Sequence, residues 1–200
     1  MTTFLLIRHA NNSWVGRALA GDTPGVHLNE EGAAQGLELV ERLREVRIDA
    51  LYSSPLERAL ETAQALASSR GLTVQSRARL TEVGLGEWTG REFANLDMDP
   101  RWRRFNSFRS STRAPGGELM TEVQTRIVDE MEELRLSHPE GTVALFSHAD
   151  VIRCAVAFYA GAPLDLMHRF EISPASVSII RLAEWGAELH AVNDTGSLAR

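Results

Sequence analysis

The chain has 200 residues, 44% of them hydrophobic and 24% charged, and a formal net charge of -6. That is enough for one soluble globular domain with a substantial core, and the negative balance argues against a general surface for nucleic acid or anionic membranes. The single cysteine, Cys154, excludes an intrachain disulfide framework. No apolar run approaches the roughly 18 residues of a membrane span. No basic segment followed by a long apolar run opens the chain, so no signal peptide is expected and the expected location is cytoplasmic.

The elements follow in order. Phe4-Leu5-Leu6-Ile7 is an uninterrupted apolar run that suits a strand buried on both faces, and it stops at Arg8 and His9. A loop rich in glycine runs to about Leu28. Residues 30–46 read as an amphipathic helix capped by Asn29, with Ala33, Leu37, Val40 and Leu43 on its apolar stripe. Ile48 to Tyr52 reads as a second buried strand. Ser54 then caps a helix with Pro55 at its first position and Glu57 completing a capping box, so Arg58 falls in the first helical turn. A weak third strand is expected at 73–77.

Leu80 to Gly90 carries glycines at short steps and reads as a shaped loop. Short helices are expected around 92–97 and 99–106, then a break at Pro115-Gly116-Gly117 and a helix over 119–137. Residues 142–146 form another apolar strand, ending at Ser147-His148-Ala149, with Asp150 capping a helix to about Tyr159. Two late strands, 177–182 and 188–192, turn near Trp185-Gly186. Strands alternating with helices predict an α/β fold with a mostly parallel central sheet flanked by helices. The expected organisation is a single domain over 1–200, with a small helical lid insertion at 91–117.

Three strand ends carry the same chemistry. Arg8 and His9 end the first, Arg58 follows the second, and His148 ends the strand at 142–146 with Arg153 one turn beyond. In a parallel sheet these ends share one edge, where ligands of open α/β sheets bind. Guanidinium forks match phosphate oxygens two bonds at a time, and helix N-termini add partial positive charge. A metal site is the rival for paired histidines. Nearby arginines would repel a divalent cation, and no carboxylate stands at ligand spacing beside either histidine, so no metal and no cofactor are expected.

The ordered segments Leu6-Ile7-Arg8-His9, Tyr52-Ser53-Ser54-Pro55-Leu56-Glu57-Arg58-Ala59, Leu80-Thr81-Glu82 with Gly86-Glu87-Trp88-Thr89-Gly90, Pro115-Gly116-Gly117-Glu118 and Ser147-His148 resemble the histidine phosphatase superfamily, the phosphoglycerate mutase-like family. The resemblance covers residues 6 to about 153 and leans to the phosphatase branch. It implies His9 as a nucleophile that takes the phosphoryl group. Arg8, Arg58 and His148 would hold the phosphate oxygens, and Glu82 would be the proton donor. It thereby implies a phosphoric monoester hydrolase of the histidine acid phosphatase type, acting on a small phosphorylated metabolite through a phosphohistidine intermediate. A cofactor-dependent phosphoglycerate mutase and a non-catalytic phosphoester-binding protein are the alternatives.

The family's usual glycine after each histidine is replaced by Ala10 and Ala149, and its threonine and later asparagine by Asn12 and Val15. Asn11, Asn12 and Ala149 are therefore the candidate further phosphate contacts. Trp88, Arg103 and Arg104 are candidate substrate contacts, the arginines because Arg101, Arg103, Arg104, Arg109 and Arg113 crowd the insertion. The expected partner is a small phosphorylated substrate, with no nucleic acid or membrane, and the expected state is monomer or homodimer. His27, His138, His168 and His190 stand alone and read as surface or packing residues. Cys154 reads as a buried small hydrophobe.

Overall fold

A computed structural model describes residues 1–196. Six strands form one sheet: β1 (Thr2–Arg8), β2 (Ala50–Ser53), β3 (Val74–Ser76), β4 (Thr142–Ser147), β5 (Val177–Ala183) and β6 (Gly186–Asp194). Their order is β3-β2-β4-β1-β5-β6. The first four run parallel, and β5 and β6 add an antiparallel edge. The fold is therefore α/β with a mostly parallel sheet, as the alternation of elements predicts.

Alternation along the strands sorts the core into two layers. Phe4, Leu6, Tyr52, Val143 and Leu145 face α5 (Met120–Ser137) and α6 (Ala149–Tyr159). Leu5, Ile7, Leu51, Ala144 and Phe146 face α1 (Glu30–Arg42) and α2 (Glu57–Arg70). Burying each large side chain of β1 contributes roughly 1.5–3 kcal/mol, which explains the unbroken apolar run. Two short helices, α3 (Phe93–Leu96) and α4 (Pro100–Ser107), stand in the expected insertion.

Several boundaries differ from the sequence reading. Helix α1 ends at Arg42 rather than residue 46, and its packed face is Gly32, Gly36, Leu39 and Leu43, with Leu37 68% exposed. The glycines carry no hydrophobic signal. Gly32 lets α1 approach closely: a Cβ there would stand 2.0 Å from the Asn11 carbonyl oxygen. Helix α2 begins at Glu57 with Leu56 as its uncapped start, so no capping box forms around Ser54. Asp150 does not cap α6 either. His148 occupies that position, and the Asp150 carboxylate pairs with arginines instead. A single-turn 3₁₀ helix at Gly86–Trp88 lies within the stretch expected to be a shaped loop, and further 3₁₀ turns at Ala78–Leu80 and Leu164–Arg169 have no counterpart in the sequence reading, since such short turns leave no periodic pattern.

The loop that carries Glu82 is braced against the Pro115-Gly116-Gly117-Glu118 break. Glu118 N–H donates to the Gly84 carbonyl at 2.8 Å, Glu87 N–H to the Pro115 carbonyl at 2.9 Å, and Gly84 N–H to the Glu118 carboxylate at 2.8 Å. A Cβ on Gly117 would lie 2.1 Å from the Gly84 oxygen. The expected cost of Gly117→Ala is about 2–4 kcal/mol, because backbone rather than a flexible side chain must move. A thermal melt should show a fall on the order of 10 °C for a chain of this size. An unchanged melting temperature would mean that this brace does not hold the loop.

Candidate active site

Parallel pairing of β1 with β4 sets Arg8 opposite Ser147, and His9 N–H donates to the Ser147 carbonyl at 2.9 Å. The next residues on the two chains are the two histidines, whose ring centroids lie 5.2 Å apart. Strand β2 pairs with β4 on the other side, so the turn before α2 delivers Arg58 to the same edge. Arg8, His9, Arg58 and Glu82 all line one cleft of about 350 Å³.

His9 is buried, and its Nδ1–H donates to the Ala10 carbonyl at 2.8 Å. A carbonyl can only accept, so the proton sits on Nδ1 and the Nε2 lone pair is free. Burial first, and the Arg8 charge second, lower its pKa to about 3, so the ring is neutral at physiological pH. Ala10 N–H donates to Thr62 Oγ1 at 3.0 Å, and that hydroxyl donates to the Arg58 carbonyl at 2.7 Å. The loop after β1 is thus tied to the first turns of α2.

The Arg58 guanidinium is buried and donates to the Gly21 carbonyl at 2.6 Å and the Thr23 carbonyl at 3.3 Å. Arg8 donates to the Ile172 carbonyl at 2.7 Å. Neither has a carboxylate partner within ion-pair distance, and the Nε of each is buried without a hydrogen-bond partner. Two fixed positive charges are therefore left for a ligand. The carboxylate of Glu82 lies 3.8 Å from His148 Nδ1. Burial first, then the nearby Asp150 charge, raise its pKa to about 7 against the opposing pull of the Val83 N–H, which donates to the carboxylate at 3.0 Å, and of Arg58 and Arg8. His148 is also buried and held neutral, by burial and then by the neighbouring His9 and arginines.

The secondary candidates divide. Asn12 and Ala149 line the cleft, and so does Val15. The Asn12 Oδ1 accepts from Trp14 N–H at 2.9 Å, which turns its amide nitrogen free for other contacts. Asn11 does not line it; its side chain turns to Glu31 on α1. Trp88 is wholly buried, packs edge-on to Trp102 at 5.3 Å, and donates to Asp99 at 3.3 Å, so it is a core residue and not a substrate contact. Arg103 and Arg104 are exposed and off the cleft, and Arg103 Nε donates to the Asp97 carbonyl. Their positions on α4 turn them to solvent.

The arginine of the insertion that does reach the cleft is Arg109. It is 2% exposed, lies over the Phe105 ring at 4.3 Å, and donates to Asp150 at 2.9 Å and Asn106 at 2.7 Å. The other Asp150 oxygen accepts from Arg153 at 2.8 Å. Burial alone would raise the Asp150 pKa, but Arg109 and Arg153 hold it well below the usual carboxylate range. His168, read as an isolated histidine, also lines this wall. Residues 109, 150 and 168 stand far apart in the chain with no spacing in common, so no local pattern joins them. His27 pairs with Glu61, His138 with Tyr52 and His190 with Glu188, away from the cleft. Among the described residues, no group of three His, Cys, Asp or Glu is placed to hold a metal ion, and no helix is long and apolar enough to cross a membrane.

Comparison with known proteins agrees with this geometry. The chain is 31% identical over 188 residues to phosphoserine phosphatase 1 of Hydrogenobacter thermophilus, covering 92% of this chain and 88% of that protein. Among solved structures it is similar to YhfR of Bacillus stearothermophilus, with a TM-score of 0.90, 28% identity, and 97% and 98% of the two chains covered. It is also similar to a mycobacterial glucosyl-3-phosphoglycerate phosphatase, with a TM-score of 0.86, 27% identity, and 96% and 98% covered. The family model for the histidine phosphatase superfamily (branch 1) matches residues 4–195, and the chain belongs to that superfamily.

Proposed function

We propose that this protein is a metal-independent phosphomonoesterase that acts on a small phosphorylated metabolite through a phosphohistidine intermediate. The observation that carries the reading is a neutral His9 with a free Nε2, buried beside two guanidiniums that lack carboxylate partners. His9 Nε2 attacks phosphorus, and the bond from phosphorus to the ester oxygen breaks. Glu82 gives its proton to that oxygen. Water then gives a proton to the Glu82 carboxylate and attacks the phosphohistidine, and the N–P bond breaks to release inorganic phosphate. Arg8, Arg58 and His148 hold the phosphoryl oxygens, with Asn12 and the backbone of Ala149 as further contacts. Phosphoryl transfer asks mainly for positioning and positive charge around those oxygens, which the guanidiniums supply.

The test is to quench turnover without acid and map the phosphate by mass spectrometry. Phosphate on His9, and a folded but inactive His9→Ala, are the expected results. A His9→Ala enzyme that turns over normally would eliminate the mechanism.

Glu82 must be protonated in the first step. With its pKa raised to about 7, the acid form is lost as pH rises through about 7. The rate of phosphoryl transfer from alkyl phosphates should therefore fall above that pH. Nitrophenyl phosphate, whose leaving group needs little protonation, should escape the fall. Glu82→Gln should remove the limb and slow alkyl substrates by about 10²–10⁴-fold. Equal losses for both leaving groups would rule Glu82 out as the acid.

The far wall also bears on substrate choice. Arg109, Arg153 and Asp150 together leave one net positive charge opposite the phosphate end. That suits a substrate with one further anionic group. Phosphoserine and glucosyl-3-phosphoglycerate, named for the relatives above, each carry a carboxylate. Arg109→Met should lower kcat/KM for carboxylate-bearing phosphoesters at least about ten-fold relative to nitrophenyl phosphate. Arg103→Ala with Arg104→Ala should leave that ratio unchanged. The opposite pattern would move the second contact back to α4.

A further inference from the structure

Ser54 stands where a helix cap is expected, yet it makes a different contact. Its residue is fully buried, its N–H donates to the Phe146 carbonyl at 2.9 Å, and its own carbonyl accepts from Ser53 Oγ at 2.8 Å. The side chain is thus placed by β2 and β4 together. Its hydroxyl has two neighbours: Leu56 N–H at 3.3 Å and His148 Nε2 at 2.8 Å.

We propose that Ser54 is a positioning residue: its hydroxyl donates to His148 Nε2 and holds that imidazole in the tautomer with its proton on Nδ1, facing Glu82. The consequence for catalysis rests on the phosphatase reading above, but the tautomer itself does not.

Counting protons leads to this assignment. A backbone N–H can only donate, so Leu56 uses a lone pair of the hydroxyl. The hydroxyl has one proton, and of its two neighbours only Nε2 can accept it. In the alternative, Nε2–H would donate to Ser54 and strand the hydroxyl proton in a buried site, at the full desolvation cost of an unmet donor. Nδ1 then bears the ring proton. It is buried with no hydrogen-bond partner, and the Glu82 oxygen at 3.8 Å is too far to serve. That donor is left for an oxygen entering between His9, His148 and Glu82. With the opposite tautomer, a lone pair would face the incoming phosphoryl oxygen and repel it. His148 stays neutral because it is buried, so the tautomer, not the charge, decides what it offers.

The test reads the tautomer directly. Nitrogen NMR of protein with ¹⁵N-labelled histidine, at pH 7 and with His148→Gln for assignment, should show a protonated Nδ1 and an unprotonated Nε2. Ser54→Ala should mix or reverse that pattern and lower kcat about 10–100-fold, less than the loss of about 10²–10³-fold when a preorganised donor is removed outright, because the imidazole itself remains. Ser54→Thr keeps the hydroxyl, and should keep the pattern and recover most of the rate. A wild-type His148 protonated on Nε2, or a Ser54→Ala enzyme with the wild-type nitrogen pattern, would overturn the proposal. Failure to find phosphate on His9 would remove the proposed reaction and leave the tautomer result standing.

Discussion

The structure depends on the parallel pairing of β1 with β4. That ladder puts Arg8 beside Ser147, and its last bond runs from His9 N–H to the Ser147 carbonyl. Two histidines 139 positions apart in sequence become neighbours only because these strands lie side by side and end at the same level. The strands themselves are held by apolar burial on both faces, α1 and α2 on one side and α5 and α6 on the other. The site therefore sits at the edge of the buried sheet, with its polar groups placed where the strands stop.

Burial then sets the chemistry. Low polarity around His9 and His148 keeps both rings neutral, and the same burial pushes Glu82 towards its protonated form. Arginine cannot respond by losing its proton in practice, so Arg8 and Arg58 remain as fixed positive charges. Their backbone-carbonyl partners satisfy some of their N–H groups without cancelling the charge. Two guanidiniums without carboxylate partners at one cleft suit a phosphate dianion, whose charge would offset theirs. The distal wall is arranged differently, since Asp150 already neutralises one of its two guanidiniums.

The loops follow from close backbone approach more than from side-chain packing. Glycines at 86 and 117 let the Glu82 loop and the break before α5 touch, and Gly32 lets α1 come down on the Asn11 carbonyl. These contacts explain two departures from the sequence reading. The packed face of α1 contains two glycines, which a hydrophobic stripe cannot reveal. Trp88, in a loop of glycines, was open to a pocket role but lies in an aromatic group with Trp102 and Phe105 that anchors the insertion to the core.

The sequence by itself determined the fold class, because unbroken apolar runs alternating with helical periodicity allow little but a covered parallel sheet. It also put candidate residues at strand ends: Arg8 and His9 stop a buried strand, Arg58 follows another, and His148 ends a third, so a parallel sheet would carry them to one edge, while the pairing of β1 with β4 decided which of them touch. What only the tertiary structure decided are the contacts between distant segments that share no periodic signal. Arg109 was one of five arginines in the insertion, and nothing local separated it from Arg103 and Arg104. Its burial against Phe105 and its pairing with Asp150 did so. Ser54 and Asp150 both read as helix caps, since local propensity favours that use of a short polar side chain. Each lies instead within reach of a stronger partner from another element, His148 for one and two guanidiniums for the other, and a buried polar group takes the partner that satisfies it best.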